Sequence, residues 1–445
     1  MRFRFKPAVL GMAMVVGITG IGAGGALAAQ STSELDWKYD VPYGRDLGST
    51  FAEEGVLAGD NLYIYTRESS DNVMIQAFDQ KKGDTDNWTY DFKGKAKGLA
   101  SGDDIAYDKD GNSYFLRKKA GDKQYKLEAV DANGKMKWSN PVPGEGGKSI
   151  VPNSVIAKSV VGESGKQLHV AGNGDIVVSH VTLVKKGEAY QTFYTFGKDG
   201  KLKSTKKITA SDINDHGEFV VILPNDQVVS RSNKLQLFKS LNDLKNPILK
   251  YELPEWTTVD LGFANSDSLS SIHTYAGGGT LVGFRMEDYS STSKKAGTSN
   301  EIDLTNLKSE RSLILFDGKS KKVWERKLPL TAVVLPTADG FVLQNGNKFE
   351  LYGKDNKLKT SKTFEGDTPR MTQAKETDEI VVASAKSGTF LSLNPKDLSV
   401  KYELDMSEIS TVKSTYAFLY EGDGELYVHA IDDNVNKTIS HYSLK

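Results

Sequence analysis

Short segments in which apolar and polar residues alternate recur along the chain, separated by turns rich in Asp, Asn, Gly and Lys. Tyr125–Asp131 and Met136–Val142 flank the turn ANGK, and Arg311–Asp317 and Lys322–Leu328 flank GKSK. Alternation with a period of two is typical of a strand with one buried face, and these turn residues tolerate the backbone of a tight hairpin. The pattern therefore predicts a long succession of antiparallel β-hairpins.

The hairpins group into units of four strands, and the last unit has only three, ending with Thr438–Leu444. Leu35–Pro42, at the other end, has the character of a fourth strand without a unit of its own. Eight units over residues 35–445 give about 51 residues each, a period typical of β-propellers. We predict an all-β fold, an eight-bladed β-propeller of four-stranded antiparallel blades, closed by pairing of the N-terminal strand with the last blade.

The N-terminus has the three parts of a secretory signal. Arg2, Arg4 and Lys6 precede an uncharged apolar run that ends in Ala26-Leu27-Ala28, a small-residue cleavage pattern. We predict a signal peptide over residues 1–28, a linker over 29–34 and the propeller over 35–445. An uncleaved anchor is the alternative, because about 20 apolar residues suffice to cross a bilayer. The expected location is extracellular or in the cell envelope, with no membrane span after signal removal.

Composition narrows the classes of function. The chain has no Cys, six His and a formal net charge of −1. Disulfides, thiolate nucleophiles and Cys-ligated metals are therefore excluded, and the near-neutral charge gives no reason to expect nucleic acid as a partner. Stability must come from a large core, and we expect a monomer.

Three units share a further motif, in which two apolar residues and an Asp are followed by a Gly in the turn and then by a Trp. It consists of Ala77-Phe78-Asp79, Gly83 and Trp88, of Ala129-Val130-Asp131, Gly134 and Trp138, and of Leu315-Phe316-Asp317, Gly318 and Trp324. This motif resembles the pyrroloquinoline-quinone-type (quinoprotein-like) repeat of β-propellers. The resemblance implies that the Trp side chains dock one blade against the next. The family contains quinone-dependent dehydrogenases and also non-catalytic propellers, such as outer-membrane assembly lipoproteins.

The sequence favours the non-catalytic branch. The family's larger alcohol dehydrogenases use a vicinal disulfide, a calcium ion and an Asp base, whereas this chain has no Cys and no ordered set of cofactor residues. Asp108-Lys109-Asp110-Gly111-Asn112 has calcium-loop spacing, but Lys119 stands where the loop needs Glu, so turn chemistry is the preferred interpretation. We expect neither quinone nor calcium as cofactor, no catalytic residues and no metal site.

Three of the histidines are a weaker candidate for a functional site. His169 and His273 lie in predicted innermost strands and His216 in the connection before another, so all three are placed towards the mouth of the central channel. Such a group can supply an acid–base pair or a metal ligand. Solvated or hydrogen-bonded structural histidines are the preferred interpretation.

Loop length distinguishes the two faces of the predicted disc. In antiparallel blades, the connections between the second and third strands share one face with the connections between blades. The three long segments, Gly144–Lys166, Glu255–Ser271 and Met286–Glu310, all belong to that face. Long loops are commonly functional. The candidate ligand-binding residues there are Trp256, Tyr289, Asp288, Glu255 and Asp260.

The function expected from these observations is a secreted, non-catalytic propeller that binds a protein or a cell-surface glycan through its long-loop face. The alternative is an enzyme, either a quinone-dependent dehydrogenase or a propeller that acts on glycans.

Overall fold

The computed structural model describes residues 33–40, 56–69, 72–83, 86–91, 105–117, 124–143, 150–151, 168–183, 189–208, 220–231, 234–252, 258–261, 272–288, 293–294, 302–303, 308–364, 368–374, 376–409, 414–432, 434 and 437–445. The expected signal peptide lies outside these residues. The described chain forms eight antiparallel sheets of four paired strands each, with an additional short strand in two of them. The fold is therefore an eight-bladed β-propeller, as the repeat predicts.

Each blade is a meander of strands that follow one another along the chain. Blade 1 contains β2 (Val56–Ala58), β3 (Asn61–Ser69), β4 (Asn72–Asp79) and β5 (Asp86–Asp91). Blade 2 contains β6 (Ile105–Tyr107), β7 (Ser113–Arg117), β8 (Lys126–Val130) and β9 (Met136–Pro141). Blade 3 contains β10 (Ile150–Val151), β11 (Leu168–Val170), β12 (Ile176–Leu183), β13 (Ala189–Phe196) and β14 (Leu202–Ile208). Blade 4 contains β15 (Val220–Ile222), β16 (Val228–Arg231), β17 (Lys234–Phe238) and β18 (Leu249–Glu252).

The second half of the ring repeats this plan. Blade 5 contains β19 (Thr258–Leu261), β20 (Ile272–Thr274), β21 (Thr280–Asp288), β24 (Lys308–Phe316) and β25 (Lys322–Leu328), with β22 (Ser293–Lys294) and β23 (Ile302–Asp303) paired separately. Blade 6 contains β26 (Val333–Thr337), β27 (Gly340–Asn345), β28 (Lys348–Gly353) and β29 (Leu358–Thr363). Blade 7 contains β30 (Arg370–Gln373), β31 (Ile380–Ala383), β32 (Thr389–Leu393) and β33 (Val400–Asp405), followed by the helix α1 (Met406–Ile409). Blade 8 contains β34 (Ser414–Gly422), β35 (Glu425–Asp432) and β36 (Lys437–Leu444).

The N-terminal strand β1 (Ser33–Asp40) completes blade 8. It pairs antiparallel with β36, with Trp37 opposite His441 and Tyr39 opposite Ile439. The predicted closure is confirmed, and the strand begins at Ser33, before the expected start of the propeller at residue 35. In the part of the chain that the structure describes, no helix is long and apolar enough to cross a bilayer.

The core lies between the blades. The described residues contain eight apolar clusters, and each joins two neighbouring blades. One cluster, for example, packs Tyr63 and Ala77 of blade 1 against Phe115 and Val130 of blade 2. Because every junction of the ring is apolar, the ring is stabilised by burial at each step around the axis.

Tryptophans in the outermost strands of blades 2 and 5 dock these blades onto the next one. Trp138 donates its indole N–H to the carbonyl of Lys198 at 3.0 Å, and Trp324 donates to Lys354 at 2.7 Å. Trp138 lies against Gly200, where a Cβ atom would come within 2.6 Å of the indole ring and φ is +79°. The docking role that the repeat resemblance implies is thus observed, while the side chain of Trp88 lies outside the described residues.

The three long segments are not plain loops. β10 lies within Gly144–Lys166 and β19 within Glu255–Ser271, and both pair with the second strand of their blade. Met286–Glu310 contains the end of β21, the start of β24 and the small β22–β23 ladder. The strands β10, β19, β22 and β23 are two to four residues long, too short for alternation to reveal in a sequence, and their pairing depends on an already formed neighbour.

Candidate functional site

We call the face that carries the interblade connections and the connections between second and third strands the loop face, and the opposite one the turn face. The second strand of each blade runs from the turn face to the loop face, and its length differs between blades. It has eight residues in blade 3 and nine in blades 1 and 5, against four in blades 4 and 7. At about 3.3 Å per residue, four further residues extend a strand by about 13 Å.

Two of these long strands carry an added strand near the loop face. In blade 3, β12 pairs with β11 near the turn face and with β10 at Val181 and Thr182. In blade 5, β21 pairs with β20 and then with β19, which lies opposite Phe284 to Glu287. We call these the blade-3 and blade-5 extensions. Backbone pairing makes them ordered strand surfaces, and β10 and β19 form the inner edge of each.

The structure places the predicted ligand-binding residues only in part. Asp260 lies in β19 opposite Arg285, and Asp288 ends β21 opposite Lys308, so both belong to the blade-5 extension. Glu255, Trp256 and Tyr289 lie outside the described residues. The assignment of these five residues as a binding site therefore stays a prediction.

A buried arginine fixes the base of the blade-5 extension. Arg311 is 2% exposed, lies opposite Arg285 across the β21–β24 pair, and donates hydrogen bonds to the carbonyls of Leu330 (2.9 Å) and Ala332. Burial, with a smaller contribution from the charge of Arg285, lowers the pKa of Arg311 to about 10. Arg311, which was not predicted from the sequence, holds the connection between blades 5 and 6 at the loop face.

The turn face is occupied by turns that satisfy their own polar groups. The carboxylate of Asp108 accepts hydrogen bonds from the backbone N–H groups of Asp110 and Asn112, from the Asn112 amide and from the Tyr114 hydroxyl. Backbone N–H groups likewise lower the pKa of the Asp317 carboxyl, with those of Lys321 and Lys319 contributing most. Asp108 thus caps its own turn, and the expectation that this loop binds no calcium stays a prediction.

Two of the three histidines that the sequence places towards the channel mouth have different contacts. His169 Nε2 lies 2.6 Å from Asp226 Oδ1 in blade 4, and the other oxygen of Asp226 accepts the N–H of Gly172. His273 packs edge-on against Tyr275, with centroids 4.8 Å apart, and burial followed by the charge of Lys354 lowers its pKa. His216 lies outside the described residues. His169 and its aspartate thus link blades 3 and 4.

A second group that was not predicted from the sequence lies in blade 8. Asp36, Glu425 and His441 each offer one metal-ligating atom, and these atoms lie within 4.8 Å of one another. Asp36 and His441 are separated by almost the whole chain and meet only because β1 closes the ring. The sequence gives no signal for this group, because a single His in a short alternating strand does not indicate which acidic residues will lie beside it.

The fold and its two unlike faces define the class of this protein as an eight-bladed β-propeller. No protein-family model and no curated protein matches the sequence. Among solved structures, BamB from Moraxella catarrhalis is similar at 11% identity and a TM-score of 0.40, over 93% of this chain and 99% of BamB. The Dos1 propeller is similar at 10% identity and 0.45, over 87% and 93% of the two chains. The computationally designed Ika8 protein is similar at 9% identity and 0.40, over 86% and 94%.

Proposed function

We propose that this chain is an exported, non-catalytic propeller of the quinoprotein-like repeat type, which binds a protein or a cell-surface glycan through its loop face. One observation carries the proposal: the blade-3 and blade-5 extensions, both built on the loop face. The other six blades of the described chain are complete with four strands, so the propeller plan itself does not require the added ones.

A protein partner suits the extensions better than a glycan does. β10 and β19 end their sheets on the inner side, and a strand edge offers backbone N–H and C=O groups to an extended segment of a partner. Asp260, Arg285 and Lys308 place charges of both signs along the blade-5 extension, which allows charge complementarity with a protein surface.

The proposal is tested with the purified chain immobilised and exposed to envelope extract and, separately, to a glycan array. A loop-face variant, Arg285→Glu with Lys308→Glu, reverses charge on the blade-5 extension, and its matched control is Lys198→Glu with Lys201→Glu on the turn face. We expect a specific ligand to be lost by the loop-face variant and kept by the control. Loss only in the control contradicts the proposal. A ligand found only on the array identifies a glycan instead of a protein.

A further inference from the structure

The outermost strands of the blades share an irregularity. In seven of the eight described blades, the pairing of the outermost strand with its neighbour shifts by one residue just before the position of the docking Trp. An extra residue in a strand forms a β-bulge and redirects its own side chain. The extra residues are Asn87, Lys137, Lys203, Val323, Lys359, Lys401 and, in blade 8, Asp36.

In three blades, the bulge residue is a lysine that contacts an acceptor just before the second strand of the same blade. The lysine side chain spans the blade at its turn-face end, and its ammonium group contacts a side-chain oxygen there. The contacts are Lys137 Nζ to Asn112 Oδ1 at 3.1 Å, Lys203 Nζ to Asp175 Oδ1 at 2.5 Å, and Lys401 Nζ to Glu379 Oε1 at 2.6 Å. In these three blades, a cation on the outermost strand thus contacts an acceptor just before the second strand.

Blade 8 differs from these three blades by placing acids at both positions. Its bulge residue is Asp36, and Glu425 begins the second strand, where blade 7 has Glu379. The registers match because Tyr427 pairs with His441 two residues after Glu425, as Val381 pairs with Ser392 two residues after Glu379. Two carboxylates thus meet where blades 2, 3 and 7 join a lysine to an acceptor.

His441 lies between the two carboxylates. Its Nδ1 is 3.0 Å from Asp36 Oδ2 and its Nε2 is 2.8 Å from Glu425 Oε2, but neither nitrogen makes an aligned hydrogen bond. His441 is 6% exposed, and its ring stacks on Tyr427 at 4.5 Å and on Trp37 at 5.8 Å. A buried polar ring with unsatisfied nitrogens is costly, so this geometry points to a missing partner.

We propose that Asp36, Glu425 and His441 bind one divalent transition-metal ion of the Zn²⁺ class, which fastens the N-terminal strand to the last blade. One imidazole nitrogen and two carboxylate oxygens form a common donor set for Zn²⁺, whereas Ca²⁺ prefers oxygen alone. Tetrahedral Zn²⁺ holds its ligand atoms roughly 3.4 Å apart. The three atoms already lie within 4.8 Å of one another, so no pair has to approach by more than about 1.4 Å to reach that spacing. Asp36 is exposed, so water can reach the fourth position.

The test uses the purified chain, stripped with chelator and titrated with ZnCl₂ in a calorimeter. We expect one Zn²⁺ per chain, an increase in melting temperature on loading, and binding weakened about tenfold or more by Asp36→Asn and by Glu425→Gln. Each substitution removes one of two facing carboxylates, so the metal-free variants are expected to fold normally. The matched control is Asp175→Asn in blade 3, at the same repeat position as Glu425, which should leave Zn²⁺ binding unchanged.

A second measurement reports on the nitrogen ligand. Co²⁺-loaded protein should show visible absorption bands that His441→Gln shifts or abolishes. The proposal is overturned if the stripped chain binds no Zn²⁺ at millimolar concentration, or if both carboxylate variants bind Zn²⁺ as the unaltered chain does. A melting temperature that does not respond to Zn²⁺ also overturns it.

Discussion

The indole of Trp37 donates a hydrogen bond to the backbone carbonyl of Gln80 at 3.0 Å, so a residue of blade 8 contacts a turn of blade 1. Trp37 also lies against Gly83, where a Cβ atom would come within 1.9 Å of the indole ring. The same residue thus completes the last blade through its backbone and holds the first blade through its side chain.

Replacing this indole should weaken the ring at its closure. We expect Trp37→Ala to lower the free energy of unfolding by about 3–5 kcal/mol, because loss of a large buried aromatic side chain leaves a cavity and an unpaired carbonyl. Equilibrium denaturation in urea measures the change. Leu35→Ala in the same strand is the control, since Leu35 is 49% exposed and should cost little. Equal losses in both variants would contradict this role of Trp37.

Glu379 should make stability depend on acid pH. Burial raises the pKa of Glu379, but hydrogen bonds from Lys401, Ser392 and Tyr420 together outweigh burial, and the net pKa lies below the ordinary value of 4.5. A depressed folded-state pKa stabilises the fold above pH 4.5, and this contribution is lost as the pH falls through the lower folded-state value.

We therefore expect Glu379→Gln to cost about 1–3 kcal/mol at pH 7, because it removes a buried charged acceptor whose partner, Lys401, is 37% exposed. The difference from the unaltered chain should shrink as the pH falls below 4.5, as followed by thermal melting at each pH. Glu252→Gln removes an exposed partner of Lys234, at 67% exposure, and serves as control. A difference that stays constant with pH would refute this assignment.

Mutation of Asp108 should lower the stability of the protein, whereas added calcium should leave its stability unchanged. Asp108 is 5% exposed and holds several donors of its own turn. Asp108→Ala leaves these donors unpaired and should lower stability by about 1–3 kcal/mol. Millimolar CaCl₂ should leave the melting temperature of the unaltered chain unchanged, and a rise that Asp108→Ala abolishes would restore the calcium hypothesis.

The loop face should carry specific binding. Once a ligand is known, Trp256→Ala and Tyr289→Ala should weaken its binding about tenfold or more with little change in melting temperature, because aromatic side chains commonly dominate interfaces. Asp110→Ala and Asp199→Ala, in turns on the opposite face, are the controls. Isothermal titration measures all four variants, and the reverse pattern would refute the assignment.

The N-terminus should be processed. The cations at residues 2–6 and the apolar run that ends at Ala28 lead us to expect cleavage near Ala28 or Ala29. Sequencing of exported protein from its N-terminus measures this directly. Material that still begins at Met1 would show an uncleaved anchor instead.

Turn chemistry and the repeat spacing were enough to predict the ring, because each blade is a local meander whose turns are rich in Asp, Asn and Gly. The order of strands and the closure by Leu35–Pro42 follow from that repetition. β10 and β19 could not be predicted in this way, because strands of two and four residues show no detectable alternation of apolar and polar residues. Their formation depends on pairing with a neighbouring strand.

The blade-8 group escaped prediction for a different reason. Asp36 is the extra residue of a bulge, so alternation along the strand does not indicate which way its side chain points. His441 gains its neighbours only after strands from both ends of the chain have paired. Sequence alone therefore located each residue correctly on a strand but could not bring the three together.

The pairing of Ser33 with Leu444 has a consequence for the order of folding. Seven blades are synthesised between β1 and its partner β36. Loop-closure entropy rises only slowly with length, so the delay, rather than the span, is the obstacle. Until β36 has been made, β1 presents an unpaired edge that invites wrong pairing. A chain that lacks β36 would keep that edge unpaired.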